Sequence, residues 1–434
     1  MHTVCTNTIY PGVDLTCIKT EKFKTGCLTL NIICGLSRET ASSNSLLPHV
    51  LRRGSSELPD MERIAAALDE LYGARIEPMI RKKGELHSIG FYSDFPDDRY
   101  IPGGKSVLEE TTALVGGMLL SPDIQDGLMR ADYINSEKSN LIDDIRAGIN
   151  DKRGYSIDRL LEEMCDGEQF GVNKLGSEAT ALEITPESLT AHYRSIIENS
   201  RIEAFYCGSA EPGRVESALR SALSVLPGRG TPTSPKTEII LRPATETPRR
   251  FTESLDVTQG KLTAGFRLGK PMENPDYPSM MVFNAIYGSG VTSKLFLNVR
   301  EKLSLCYYAS SILERHKGVM IVASGVEFSK FDAALDEILA QLANVKKGDV
   351  SDWELTSAKR AVVTAIKSSM DRPSGLEDLY FDSRVAAFPY DPGKLCENVE
   401  AVTLDSVVEI ASGIETDSIY LLTGKEAGVG DNGQ

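Results

Sequence analysis

Residues 45–55 read Ser-Leu-Leu-Pro-His-Val-Leu-Arg-Arg-Gly-Ser. Behind them an alternating run (Leu28, Leu30, Ile32, Cys34) predicts a strand within Cys27–Gly35, and the stretch itself reads as the helix that the strand leads into. With Ser43 or Ser45 as the cap, Pro48 falls in the first helical turn, where its missing N–H costs no hydrogen bond. Ser45 and His49, four residues apart, then share one helix face.

The elements that follow recur. In the first half a helix carries Met61, Ile64, Ala65, Leu68 and Leu71 and stops at Gly73. Strands near 75–81 and 86–92 come next, then helices over 105–120 and 127–150. In the second half a strand over 262–268 leads to helices over 277–286 and 293–303. Strands 306–313 and 319–324 and helices 328–345 and 352–370 follow. Each half closes on a short strand, 202–207 and 419–422. The Pro/Thr/Gly-rich text of 227–250 separates them. The expected organisation is α+β, with two homologous domains of mainly antiparallel sheet packed with helices. They span 1–226 and 251–434, and 227–250 links them.

Composition narrows the function. The 434 residues carry a formal net charge of −15, which argues against nucleic acid or an anionic membrane as a main partner. No apolar run approaches the roughly 18–20 residues of a membrane span, and residues 1–5 show no secretory pattern. The eight cysteines are scattered without a Cys-x-x-Cys, as expected of reduced thiols in a cytoplasmic protein.

The 45–55 text resembles the signature helix of the insulinase/pitrilysin-type metallopeptidases, the mitochondrial processing peptidase family. There a His-x-x-Glu-His run is followed by two apolar residues, two longer ones, Gly, and Ser or Thr. The two His bind zinc and the Glu activates its water. Here Ser45 stands for the first His, Pro48 for the Glu, and His49 for the second His. The resemblance covers nearly the whole chain and implies the LuxS/insulinase-like two-domain fold. It assigns the third ligand position to Glu137. It also covers 288–308, where Arg300 and Tyr307 match an Arg/Tyr pair that contacts substrate backbone. A closer likeness, on Glu70-Leu71-Tyr72-Gly73-Ala74, is to bacterial members associated with 5-aminopentanol modification of elongation factor P.

Zinc catalysis needs about three protein ligands and an open position. Ser45 is a poor imidazole substitute and Pro48 cannot take a proton, so no catalytic residue and no cofactor are expected; His49 and Glu137 are vestigial metal candidates. Taken alone, they read as an ordinary helix histidine and a solvated charge, Arg300 as a helix-end residue and Tyr307 as strand packing. The other histidines show no metal spacing, and Ser preceding Lys294 is the wrong order for a phosphate loop. The expectation is a non-catalytic subunit that binds peptide through Arg300 and Tyr307 and pairs with a zinc-bearing paralogue. The alternatives are an active zinc endopeptidase with unrecognised ligands, or a peptide-binding scaffold or homodimer.

Overall fold

Thr25–Gly35 forms a strand in which every residue but the two ends is buried. The alternation read from sequence predicted one covered face; both faces are covered, because a helix from far along the chain packs on the second. The structure is a computed structural model that describes residues 3–104, 106–229, 232, 235–270, 275–386 and 391–425. Of the expected linker 227–250, residues 230, 231, 233 and 234 lie outside the described residues, as do Met1, His2, Lys105, 271–274, 387–390 and 426–434 of the expected elements and domains.

The chain forms two compact units. The first comprises 1–146, 172–236 and 369–389. Its strands are β1 (Thr3–Tyr10), β2 (Val13–Lys19), β3 (Thr25–Gly35), β4 (Arg75–Lys83), β5 (Leu86–Pro96), the two-residue pair β6 (Ile124–Gln125) and β7 (Leu128–Met129), and β8 (Arg201–Gly208). The main sheet runs β1-β2-β8-β3-β5-β4, antiparallel except for β2 with β8. Helix Ala41–Arg52 packs on one face, setting Leu46, Leu47 and Leu51 in the same core as Ile32, Ile89 and Phe91. Helix Pro373–Ala386 covers the other, with Leu376 and Tyr380 against Ile18, Cys27 and Phe205.

The second unit comprises 147–171, 237–368 and 390–434. It holds β9 (Arg249–Leu255), β10 (Gly260–Arg267), β11 (Cys306–Glu314), β12 (Val319–Val326) and β13 (Glu415–Gly424). The order is β11-β12-β10-β13-β9, and again one pair, β13 with β9, is parallel. Helices Tyr277–Tyr287 and Phe331–Lys346 fill one face. Helix Lys152–Met164 covers the other with Leu160, Leu161 and Met164 against Val319, Ile321 and Tyr420.

Matched strand by strand, β2-β8-β3-β5-β4 and β9-β13-β10-β12-β11 are the same topology, so the repeat read in the sequence is a repeat of fold. The boundaries differ from the linear division 1–226 and 251–434. Segment 147–171 belongs with the second sheet and 369–389 with the first. Each sheet needs an apolar cover on its second face, and each takes it from the other half of the sequence. The expected linker is not free of regular structure: β9 begins within it at Arg249.

Candidate functional site

Helix Ala41–Arg52 starts from Thr40, not from Ser43 or Ser45, so Pro48 sits inside it rather than in its first turn. The Asn44 carbonyl therefore loses its helical partner. Pro48 instead lines an apolar cleft with Ile32, Leu51, Ile89 and Phe91, where a carboxylate would be buried without a counter-charge.

Ser45 is fully buried, and its hydroxyl donates to the Lys174 carbonyl at 2.5 Å. One turn earlier the Ser42 hydroxyl takes part in hydrogen bonds with Leu175, Ser177 and Thr180. Gly176 lies so close that a Cβ there would meet the Ser42 oxygen at 2.1 Å. The segment from Lys174 to Thr180 thus lies directly on the helix face that Ser45 occupies. His49 is half-buried, with no hydrogen-bond partner among the described residues.

Glu137, on helix Ala131–Ala147, is not a solvated charge. Arg53 donates to one carboxylate oxygen at 2.9 Å and Asn140 to the other at 3.1 Å. The Arg53 guanidinium also lies over the Tyr133 ring, 5.1 Å from its centroid. Among the described residues no group of three or more His, Cys, Asp or Glu is placed to hold a metal ion. The donor set does not fit zinc: a committed hydroxyl, a proline, a cation-bound carboxylate and one imidazole fall short of three ligands.

Beneath this face lies an arrangement the sequence did not reveal. Asn44 donates to His87 Nδ1 at 3.3 Å and accepts from His192 Nε2 at 2.7 Å. The accepting Nδ1 makes the His87 ring neutral with its proton on Nε2, and His192 carries a proton on Nε2. His87 is fully enclosed, and its Nε2 has no hydrogen-bond partner among the described residues. Burial pushes its pKa down to about 4, assisted by the positive Lys82 and Lys174 and by His192; burial also lowers His192. The three residues come from a helix, a strand and a second helix, so no local spacing announces them.

Arg300 and Tyr307 lie in the second unit. Arg300 sits on a π-helix, Leu295–Lys302, whose wider winding shows in the Leu303 N–H bonding back to the Asn298 carbonyl. Its side chain is 42% exposed, with Nε 3.5 Å from Glu301 and Cζ 4.7 Å from the Phe296 ring centroid. Ser304, at φ 48°, turns the chain into β11. There a register shift between Cys306 and Tyr308 marks Tyr307 as a bulged residue, and it is 61% exposed. A strand-packing role for Tyr307 does not match that exposure.

Two repeated α+β units, one carrying a metal-type helix stripped of its ligands, define a metallopeptidase-like chain. A family model described as the Peptidase M16 inactive domain matches residues 183–362. The probable inactive metalloprotease YmfF of Bacillus subtilis (strain 168) is 31% identical over 419 residues, covering 96% of each protein. A conserved protein from Enterococcus faecalis V583 has a TM-score of 0.88 at 25% identity, over 98% of this chain and 99% of that one. A Pseudomonas fluorescens structure described as a peptidase M16 inactive domain has a TM-score of 0.79 at 15% identity, over 98% and 99%. The chain belongs to the M16 peptidase family, the insulinase/pitrilysin type; the matching family model and the Bacillus subtilis relative are both described as inactive. Among the described residues, no helix is long and apolar enough to cross a membrane.

Proposed function

We propose that this chain is the non-catalytic subunit of a cytoplasmic M16-type peptidase pair. It binds peptide through Arg300 and Tyr307, and a zinc-bearing paralogue supplies the hydrolysis. The observation that supports this reading most directly is the contrast between the two signature regions. On helix Ala41–Arg52 Ser45 is spent on Lys174, and on helix Ala131–Ala147 Glu137 is spent on Arg53. Arg300 and Tyr307 remain exposed to solvent. A guanidinium and a phenol are both donors to peptide carbonyls and need no metal to bind them.

Co-expression with a zinc-bearing M16 paralogue tests the proposal. The expected result is a co-purifying complex with one zinc per pair, whose peptide cleavage falls when Arg300→Ala is introduced. A paralogue that purifies alone and cleaves at the same rate with or without this chain would overturn it. Zinc retained by the isolated chain and abolished by His49→Ala would favour an active metallopeptidase instead.

A further inference from the structure

We infer that Phe296 is a positioning residue for Arg300, presenting the guanidinium end-on as a fork; this rests on the peptide-binding reading of Arg300 above. An arginine side chain has many rotamers, and an exposed one loses much of that freedom when it grips a ligand. Here two contacts restrict it in advance. The guanidinium carbon lies over the Phe296 ring, 4.7 Å from Cζ to the ring centroid, and Glu301 stands 3.5 Å from Nε. Among the described residues, neither terminal amino group of Arg300 has a hydrogen-bond acceptor. The ring restricts one side, the carboxylate approaches the Nε edge, and the two free terminal amino groups form the end suited to a carboxylate or paired carbonyls.

The helix that carries both residues is itself anchored. Lys294, just before it, is buried and ion-paired with Glu354 at 2.8 Å, and the Ser293 hydroxyl donates to the Gly290 carbonyl at 2.8 Å. At the other end the Ser304 N–H bonds to the Arg300 carbonyl and the Leu305 N–H to the Val299 carbonyl. The backbone beneath Arg300 is therefore held at both ends, and the ring of Phe296 governs the remaining side-chain freedom. Phe296 is half-buried, and leucine in its place removes the π face while keeping an apolar side chain.

The test uses the full chain, selectively ¹⁵N-labelled on arginine, and a fluorescein-labelled unstructured decapeptide in free-acid and C-terminally amidated forms. The Arg300 Nε–H signal, assigned by its loss in Arg300→Lys, is expected to be shifted by the ring current of Phe296. It should move toward the random-coil position in Phe296→Leu and stay near its native position in Phe296→Tyr. Peptide binding should weaken about two- to fivefold in Phe296→Leu, the range expected for one exposed cation–π contact, and return in Phe296→Tyr. Thermal midpoints of the two variants should agree with each other. An Arg300 signal unmoved by Phe296→Leu overturns the inference whether or not the peptide binds. Peptide affinity unchanged by Arg300→Ala overturns the peptide-binding reading instead. A larger loss in Phe296→Leu with the free acid than with the amidated peptide identifies a terminal carboxylate as the group in the fork; equal losses identify backbone carbonyls.

Discussion

Arg53 and Glu137 form an ion pair at 2.9 Å, joining the residue that ends the signature helix to the carboxylate that the family resemblance placed as a third metal ligand. A guanidinium now provides the positive charge beside Glu137. The Glu137 side chain is 11% exposed, against 31% for Arg53, so removing the cation leaves the better-buried partner alone. Arg53→Met should lower stability by about 1–3 kcal/mol, the cost of a largely buried group left unpaired. Adding Glu137→Gln should recover most of that loss. Urea denaturation of the single and double variants checks this; additive effects would show that the pair is not coupled.

Restoring the missing letters should not restore the metal. Ser45→His with Pro48→Glu places an imidazole where a fully buried hydroxyl meets the Lys174 carbonyl, and a carboxylate in the apolar cleft around Ile89 and Phe91. The double variant is expected to be less stable by more than about 2 kcal/mol. By metal analysis after dialysis, it should hold well under one zinc per chain. Stoichiometric zinc would show that the overlying segment yields more readily than its hydrogen bonds suggest.

The His87–Asn44–His192 chain predicts an acid limb in stability. The folded His87 pKa lies near 4 and the unfolded value near 6.5. Between those values the unfolded state binds the extra proton, so stability is full above about pH 6.5 and falls as pH drops toward 4. A shift of that size corresponds to at most about 3 kcal/mol; His192, lowered in the same direction, adds to it. His87→Asn keeps an acceptor for Asn44 and has no proton to gain. Its denaturation midpoint should change less with pH across this window than that of the native chain, and parallel profiles would refute the assignment.

Glu70-Leu71-Tyr72-Gly73-Ala74, read as a family likeness, is a backbone device. Tyr72 and Gly73 both have positive φ, 59° and 75°, and carry the chain from helix Met61–Glu70 into β4. The second unit has its left-handed residue, Ser304, at the matching place before β11. A Cβ on Gly73 would meet nothing within 4 Å, so Gly73→Ala isolates the conformational cost. It should destabilise by about 1–2 kcal/mol, measured by thermal or urea unfolding, with no change at Arg300.

Much of this architecture was legible because it is local. The 3.6-residue spacing at Met61–Leu71 and the apolar run at 319–324 are set by near neighbours in sequence, and the strands and helices stand close to where those patterns put them. Pro48 was misplaced because the cap is Thr40, a residue whose side chain makes no capping hydrogen bond. Glu137 read as solvated because Arg53, its partner, is 84 residues away. The His87 and His192 pairing was invisible for the same reason. The sequence also gave no sign that helices Lys152–Met164 and Pro373–Ala386 belong to the sheets formed by the opposite halves, since amphipathicity states that a helix has an apolar face and not which sheet receives it.

Buried charge distinguishes those receiving sheets. Glu377, on Pro373–Ala386, accepts both Nη groups of Arg81 of β4 at 2.8 Å, while the Arg81 guanidinium stacks on Phe381 at 3.9 Å. In the second unit Glu168, just past Lys152–Met164, pairs with Arg267 of β10 at 2.5 Å and with Lys317 at 2.7 Å. Burial pushes the Glu168 pKa up, but Arg267 and Lys317 outweigh it and the net shift is downward. Glu377→Ala and Glu168→Ala each remove a buried carboxylate from its cations; Arg81 keeps Asp378 at 3.7 Å and Arg267 keeps Asp417 at 2.9 Å, so each variant should cost about 1–3 kcal/mol in the unit concerned. Amide hydrogen exchange reads the units separately. Glu377→Ala should raise exchange in β3, β4, β5 and helix Pro373–Ala386, and Glu168→Ala in β10, β12, β13 and helix Lys152–Met164. If either variant leaves its own exchanged helix as protected as before, apolar packing alone holds that helix, and the ion pairs only select its register.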